Sequence, residues 1–274
     1  MTDALARVAE DIPAYLGIAP PAERATIRVA GAGAVLLDTG GPESMSGTVC
    51  AVRAEPEALS ALAAAVDAWF AARGRTRSTW LTGPATAPVD AADRLVGLGA
   101  AVVERSRAMG LAHEPPAPSG DADVREIETA EDYLRARIVL ISAGPGDDPA
   151  AMALALAEAN EQAWRDYRAA GTRRLFGAFV DGELVAAGGL HATTEPGIAV
   201  LGGGATAPRA QGRGLYRALV HRRWRAAREA GDRALAVGAS PESAPILARL
   251  GFADYGEVAI LIREAGDGAR GPAA

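Results

Sequence analysis

Residues 205–220 read ATAPRAQGRGLYRALV, with Arg209, Gln211, Gly212, Arg213 and Gly214 where an apolar run gives way to a helix-like pattern. This chemistry suits an anion. Glycine lets the backbone approach a phosphate closely and adopt φ values that other residues resist. A helix N-terminus adds unpaired N–H groups and partial positive charge. The setting gives the glycines weight: a strand over 198–206, a loop, then a helix from Gly214. By contrast AGAGAVLL, residues 30–37, runs into another strand-like pattern and reads as hairpin structure. Two phosphate loops are excluded. Walker A needs a lysine, and all 28 Lys and Arg residues of this chain are Arg. The dinucleotide fingerprint GxGxxG fails because Leu215, Tyr216 and Arg217 follow Gly214.

Other candidates are sparser. Gly202, Gly203 and Gly204 lie inside the strand before the loop, where three glycines weaken pairing and mark a bulge or a close backbone approach. Of the three histidines, His191 in ELVAAGGLHA has an ordinary pKa suited to a general base, although a lone strand histidine is more often structural. His113 and His221 make weaker cases, and Glu195 reads as a solvated turn residue. Arg222, Arg223, Arg225 and Arg228 read as a solvated helix face.

These residues need a scaffold, and the composition allows one. The chain has 274 residues, 49% of them hydrophobic, enough for two modest domains or one large one. A net charge of −6 argues against general nucleic-acid binding. Cys50 is the single cysteine, so no intrachain disulfide or cysteine-based zinc site forms, and TVCAV suggests a small buried hydrophobe. MTDALARVAEDIPAYL lacks the features of a signal peptide, and no run approaches bilayer length, so a cytoplasmic, soluble protein without membrane association is expected.

HEPPAPSGDAD, residues 113–123, is the clearest break, and AGDGARGPAA after 264 has the composition of a disordered tail. The expected division is residues 1–112, a linker over 113–121, a domain over 122–264 and a tail over 265–274. Within 122–264 the order reads β-α-α-β-β-β-α-β-α-β. Thr129 with Asp132 gives a capping signal for a helix to Ile141, and a second helix runs from about Pro149 to Ala170. Asp181-Gly182 is a hairpin turn, and Gly231 stops the helix after the loop. Residues 93–112 can be laid over ARLGFADYGEVAILI: each has a short helix ending in Leu-Gly, a turn and a strand, which suggests a duplicated fold.

Arg209-Ala210-Gln211-Gly212-Arg213-Gly214 resembles the Q/R-x-x-G-x-G/A signature of the GNAT superfamily, the Gcn5-related N-acetyltransferases, with the family's usual proline at Pro208. Element order and SAPILARLGF extend the resemblance over 122–264. It implies an α/β fold with a mixed sheet, here in two tandem copies, and acetyl-CoA as co-substrate with no metal. It places the pyrophosphate of coenzyme A on Gln211, Gly212, Arg213, Gly214, Leu215 and Tyr216, with Arg213 or Arg217 either adding a charge-assisted bond or remaining solvated. It also implies that the strand end, Gly202 to Gly204 with Ala205 and Thr206, splays to bind the pantetheine arm, one N–H polarising the thioester.

The implied chemistry is direct attack by an amine of a small molecule on acetyl-CoA in a ternary complex. That needs a base for the ammonium and an acid for the thiolate. Here the sequence departs from the family pattern: Leu247 stands where many members have tyrosine, and Ser240 replaces an asparagine. Protonation then falls to Ser240, Tyr255 or water, and the base to His191. Trp164 and Tyr167 either wall the acceptor site or pack in the core. Residues 1–112 have no counterpart of the loop, which implies a degenerate half that completes the acceptor pocket or replaces a dimer partner, in a monomer or homodimer. The competing reading is a non-catalytic acyl-CoA-binding protein, a sensor or adaptor.

Overall fold

A computed structural model describes residues 2–17, 22–40, 47–118, 122–142 and 149–264. The expected tail, residues 119–121 of the expected linker and residues 143–148 lie outside the described residues. The chain forms two compact units, and they do not follow chain order.

The first unit takes residues up to Met109, then Gly238–Pro245, then the chain from Ala253. It opens with helices α1 (Thr2–Glu10) and α2 (Ile12–Tyr15). A hairpin of β1 (Glu23–Val29) and β2 (Ala32–Asp38) turns at Gly31, whose φ of 73° suits glycine. Strand β3 (Gly47–Ala54) pairs antiparallel with β2. Helix α3 (Leu59–Ala71) then carries the chain to β4 (Arg77–Thr82), parallel to β3, and α4 (Ala91–Gly97) leads to β5 (Ala101–Leu111). Trp80, Phe70, Leu36, Leu62 and Val66 make the core between sheet and α3. Cys50 is buried and its thiol pushed up to about 12 by burial, so it packs as a hydrophobe.

The second unit comprises Gly110–Val237 and Ile246–Phe252. Strand β6 (Asp123–Glu126) precedes α5 (Ala130–Ser142), where the Thr129 hydroxyl accepts the Asp132 N–H at 3.1 Å, as the capping signal requires. The helix expected over 149–170 is two, α6 (Pro149–Glu158) and α7 (Asn160–Ala170). At the junction the buried Asn160 side chain donates to the Ala130 carbonyl at 2.8 Å, a long-range bond that no helical periodicity signals. Strands β7 (Arg173–Val180) and β8 (Glu183–Ala192) form the expected hairpin, with φ of 51° at Asp181 and 80° at Gly182. Strand β9 (Ile198–Thr206) pairs antiparallel with β8, and α8 (Leu215–Glu229) leads to β10 (Ala234–Ala239), parallel to β9.

Short helix α9 (Ala244–Arg249) leads to the last strand, β11 (Ala253–Glu264). The expected boundaries would group β11 with residues 122–264, but it pairs antiparallel with β4, from Ala259 opposite Thr82 to Glu264 opposite Arg77. In the first unit the strand order is β1-β2-β3-β4-β11-β5. Ion pairs of Arg107 with Asp254 at 2.7 Å and Arg263 with Asp67 at 2.9 Å hold β11 there. Gly99 and Gly251, after the two short helices, have φ of 91° and 93°, so the likeness read between the two closing segments extends to the backbone.

Candidate functional site

The site is built on an irregularity in β9. Gly188 pairs with Gly204 and Gly189 with Gly202, so Gly203 is an extra residue, at φ of 55°. This is the bulge that the glycine run signals. Alternation along the strands sends neighbouring residues to opposite faces. A Cβ on Gly188 would lie 2.8 Å from the Arg223 guanidinium, and one on Gly204 would lie 2.8 Å from the Tyr216 ring. Both residues therefore face α8. On the other face a Cβ on Gly202 would lie 2.1 Å from the His191 imidazole. The glycines thus let Arg223 and Tyr216 press against the strands from one face and His191 from the other. Strand β9 is laddered to β10 only over Ile198–Val200, and beyond it Gly203 and Gly204 are exposed.

Past Thr206 the chain makes a 3-10 turn, Pro208–Ala210, and enters α8 through Gly212 and Gly214, at φ of 75° and 77°. A Cβ on Gly212 would meet nothing within 4 Å, so the backbone conformation, not space, demands glycine there. Gln211, Gly212 and Arg213 are exposed, and the Gln211 amide donates to the Thr206 carbonyl at 3.4 Å. Gly214 is the N-cap, so the amides of the first turn have no carbonyl four residues back and are directed outward. Ala207, Pro208 and Arg209 also border a cleft of about 570 Å³ with Arg135 and Val139 of α5 and Glu183 of β8. Arg209 pairs with Glu183.

Arg223 corrects the expectation of a solvated arginine face. It is 1% exposed, on the stripe of α8 that also buries Leu219, Val220 and Trp224. Its Nη1 donates to the carbonyls of Gly189 at 3.1 Å and Gly203 at 3.2 Å, and Nε to Leu219 at 3.1 Å. Burial pushes its pKa down from the usual arginine value, and Tyr216 opposes that shift. His191 is pushed down to about 4 by burial, then by Arg173 and Arg223 beside it, so its imidazole is neutral at physiological pH.

Residues 147–260 match the acetyltransferase (GNAT) domain family. Solved structures share the fold at low identity. A GCN5-related N-acetyltransferase from Kribbella flavida is 17% identical with a TM-score of 0.67, over 96% of both chains. A protein of unknown function from Staphylococcus epidermidis is 12% identical with a TM-score of 0.63, over 90% of this chain and 96% of its own. A tandem GNAT protein from the clavulanic acid biosynthesis pathway is 19% identical with a TM-score of 0.58, over 91% and 85%. No curated protein sequence matches the chain.

The GNAT family implies acetyl transfer from acyl-CoA, and the bulged strand with its glycine entry into α8 is a surface such a donor fits. The fit rests on exposed backbone at Gly203, Gly204 and Gly212 and on the outward amides of α8. Gly204, Ala205, Thr206, Gln211, Gly212, Arg213, Gly214, Leu215 and Tyr216 are thus contiguous around one strand end, with His191 against the bulge. Ser240 and Tyr255 fall in the first compact unit. The Ser240 hydroxyl accepts from the Ser243 N–H at 3.3 Å, as a cap for α9, and burial raises the Tyr255 phenol above its usual pKa. Tyr167 stacks on Tyr133 at a centroid distance of 4.9 Å, Trp164 packs against Tyr133 at a tilt at 5.4 Å, and Tyr167 accepts the Leu175 N–H at 2.8 Å. They belong to the core between α5, α7 and the sheet, the packing reading of the sequence. Among the described residues no cluster of His, Cys, Asp or Glu could hold a metal, and no helix is long and apolar enough to cross a membrane.

The first unit repeats the β9 bulge without the opening. In β3, Ala51 and Val52 oppose Ala34 alone, and Ala51 has φ of 52°, a strained value outside glycine. As with β9, β3 is laddered to its parallel neighbour only before the bulge, over Thr48 and Val49. Here the bulge N–H is already taken: Ala51 donates to the Asp11 carboxylate at 2.7 Å. Glu10 accepts the Ala85 N–H at 2.9 Å with both oxygens, and Ala87 bonds to Val52 and Ala54 along the edge of β3. A carboxylate and a loop of the chain itself occupy these donors. Burial raises the pKa of Glu10 and Asp11.

Proposed function

We propose that this protein is an acetyl-CoA-dependent N-acetyltransferase acting on a primary amine of a small molecule. The observation that carries the reading is the exposed bulge of β9 running directly into a glycine-capped helix N-terminus. In this reading the amides of Gln211 to Tyr216 hold the pyrophosphate, while Gly204, Ala205 and Thr206 pair with the pantetheine arm. The amine lone pair attacks the thioester carbon, the C–S bond breaks, and coenzyme A leaves as thiolate. The ammonium proton passes to His191 or water, and the thiolate is protonated by Ser240, Tyr255 or water. One acetyl-CoA binds per chain, because the corresponding donors of the first unit bond to Asp11, Glu10 and Ala87. The protein is read as a cytoplasmic monomer or homodimer that engages neither nucleic acid nor membrane.

One observation favours a non-catalytic acyl-CoA-binding protein, a sensor or adaptor. A histidine held down at about 4 has little affinity for a proton and takes one from an ammonium poorly. Titrating acetyl-CoA and coenzyme A calorimetrically into the full chain tests the site. The expected result is one site, lost on Gly212→Val with Gly214→Val, since valine resists positive φ. Two sites would contradict the reading of the first unit, and no binding would remove the reading altogether. An amine screen for release of free thiol then separates enzyme from binder.

A further inference from the structure

A buried guanidinium costs several kcal/mol unless it is paired, and among the described residues no carboxylate pairs with Arg223. Besides the Tyr216 hydroxyl its contacts are carbonyls, and two of them, Gly189 and Gly203, flank the β9 bulge on the two strands. Room for it is made by Gly188, where any side chain would collide with the guanidinium. The sequence therefore supplies both a cation and the gap that admits it.

The peptide unit joining Gly203 to Gly204 is planar, with its C=O and N–H pointing in opposite directions. Arg223 holds the carbonyl, so the N–H of Gly204 is turned away from Arg223, where Gly203 and Gly204 are exposed. A carbonyl that accepts from a cation polarises its own peptide unit, which makes the N–H at the other end a stronger donor. In acyl transfer the C=O electrons of the thioester move to oxygen as the amine nitrogen bonds to carbon, and return as the thiolate leaves. A preorganised donor aimed at that oxygen is worth a large share of the rate.

We propose that Arg223 is a positioning residue for acyl transfer: its grip on the Gly203 carbonyl aims the Gly204 N–H at the thioester oxygen and strengthens it as a donor. This rests on the acetyl-CoA reading above. Lysine cannot replace it, because a single ammonium lacks the fork that spans two carbonyls and Leu219.

The test uses the full chain and acetyl-CoA carrying ¹³C at the carbonyl, read by infrared difference spectroscopy. In the natural protein the bound C=O stretch lies below its value in water. Arg223→Gln and Arg223→Lys lose most of that shift, while affinity for coenzyme A, which has no acyl group, is retained. A merely structural arginine would lower melting temperature and leave the shift in place, and that outcome overturns the proposal. Should both variants fail to fold, the Gly204 amide proton of the natural protein decides by NMR. It moves further downfield with acetyl-CoA than with coenzyme A, and indifference to the acetyl group overturns the proposal. Absence of any acetyl-CoA binding sinks the reading of the site as well, whereas binding with an unshifted carbonyl sinks this proposal alone.

Discussion

His191 is the residue whose environment has the most direct consequence in solution. Its pKa lies at about 4 in the fold against 6.5 when unperturbed, through burial and two arginines. The folded chain therefore binds fewer protons than the unfolded chain between those values. The stability this contributes is present above pH 6.5 and lost as pH falls through 4. The limit is ~3 kcal/mol, from the size of the shift. Urea unfolding at pH 7.5 and 4.5 is expected to show this decline in the natural chain and a smaller one in His191→Gln. Equal slopes would mean that the imidazole is solvated.

Arg223 shows why a single residue can be misread. Between Arg222 and Arg225 it looks like one more solvent-facing arginine, although helical spacing from Leu219 and Val220 places it on the apolar face. What buries it is Gly188, 35 positions earlier in the chain and on another element, together with two carbonyls exposed by a bulge. Periodicity reports which face a residue occupies, not whether a distant glycine has left a hole for it.

At the scale of elements, local chemistry was legible and partners were not. The Asp181-Gly182 turn, the Thr129 cap, the glycine run of β9 and the stop at Gly231 are each fixed by residues within a few positions, and the structure has all four. The break at Ala159 and the filling of the β3 opening by Asp11 depend on contacts 30 and 40 residues apart, which no local pattern encodes. The second of these makes a prediction. Burial raises the pKa of Asp11, so its charge disfavours folding as pH rises above the ordinary carboxylate range, while its oxygen satisfies the strained Ala51 amide. Asp11→Asn keeps an acceptor and removes the charge, and its stability at pH 7 is expected to equal or exceed that of the natural chain. Asp11→Ala leaves a buried N–H unpaired and should lose about 1–3 kcal/mol in chemical unfolding. If alanine and asparagine behave alike, the carboxylate is not serving as a cap.

For the whole molecule, the strand that ends the described chain belongs to the first unit. Arg263 and Asp67, paired at 2.9 Å, are 196 residues apart, and β4 has β11 as its antiparallel partner. A fragment of residues 122–264 would leave β11 as an unpartnered edge of 12 residues, carrying Val258, Ile260 and Leu261. Such edges invite aggregation. That fragment is expected to aggregate, by light scattering, at concentrations where the full chain is dispersed, and adding residues 1–112 in trans should partly rescue it. A dispersed, stable fragment would show that β11 finds another partner.

The position of β11 also sets an order of events during synthesis. Chains grow from the N-terminus, and earlier domains generally fold first as they emerge from the ribosome. That schedule is closed to the first unit here. Its sheet lacks the strand between β4 and β5 until β11, which follows the second unit in the chain, has been translated. Until then β4 presents an open edge, and the first unit is completed only after the second has been translated.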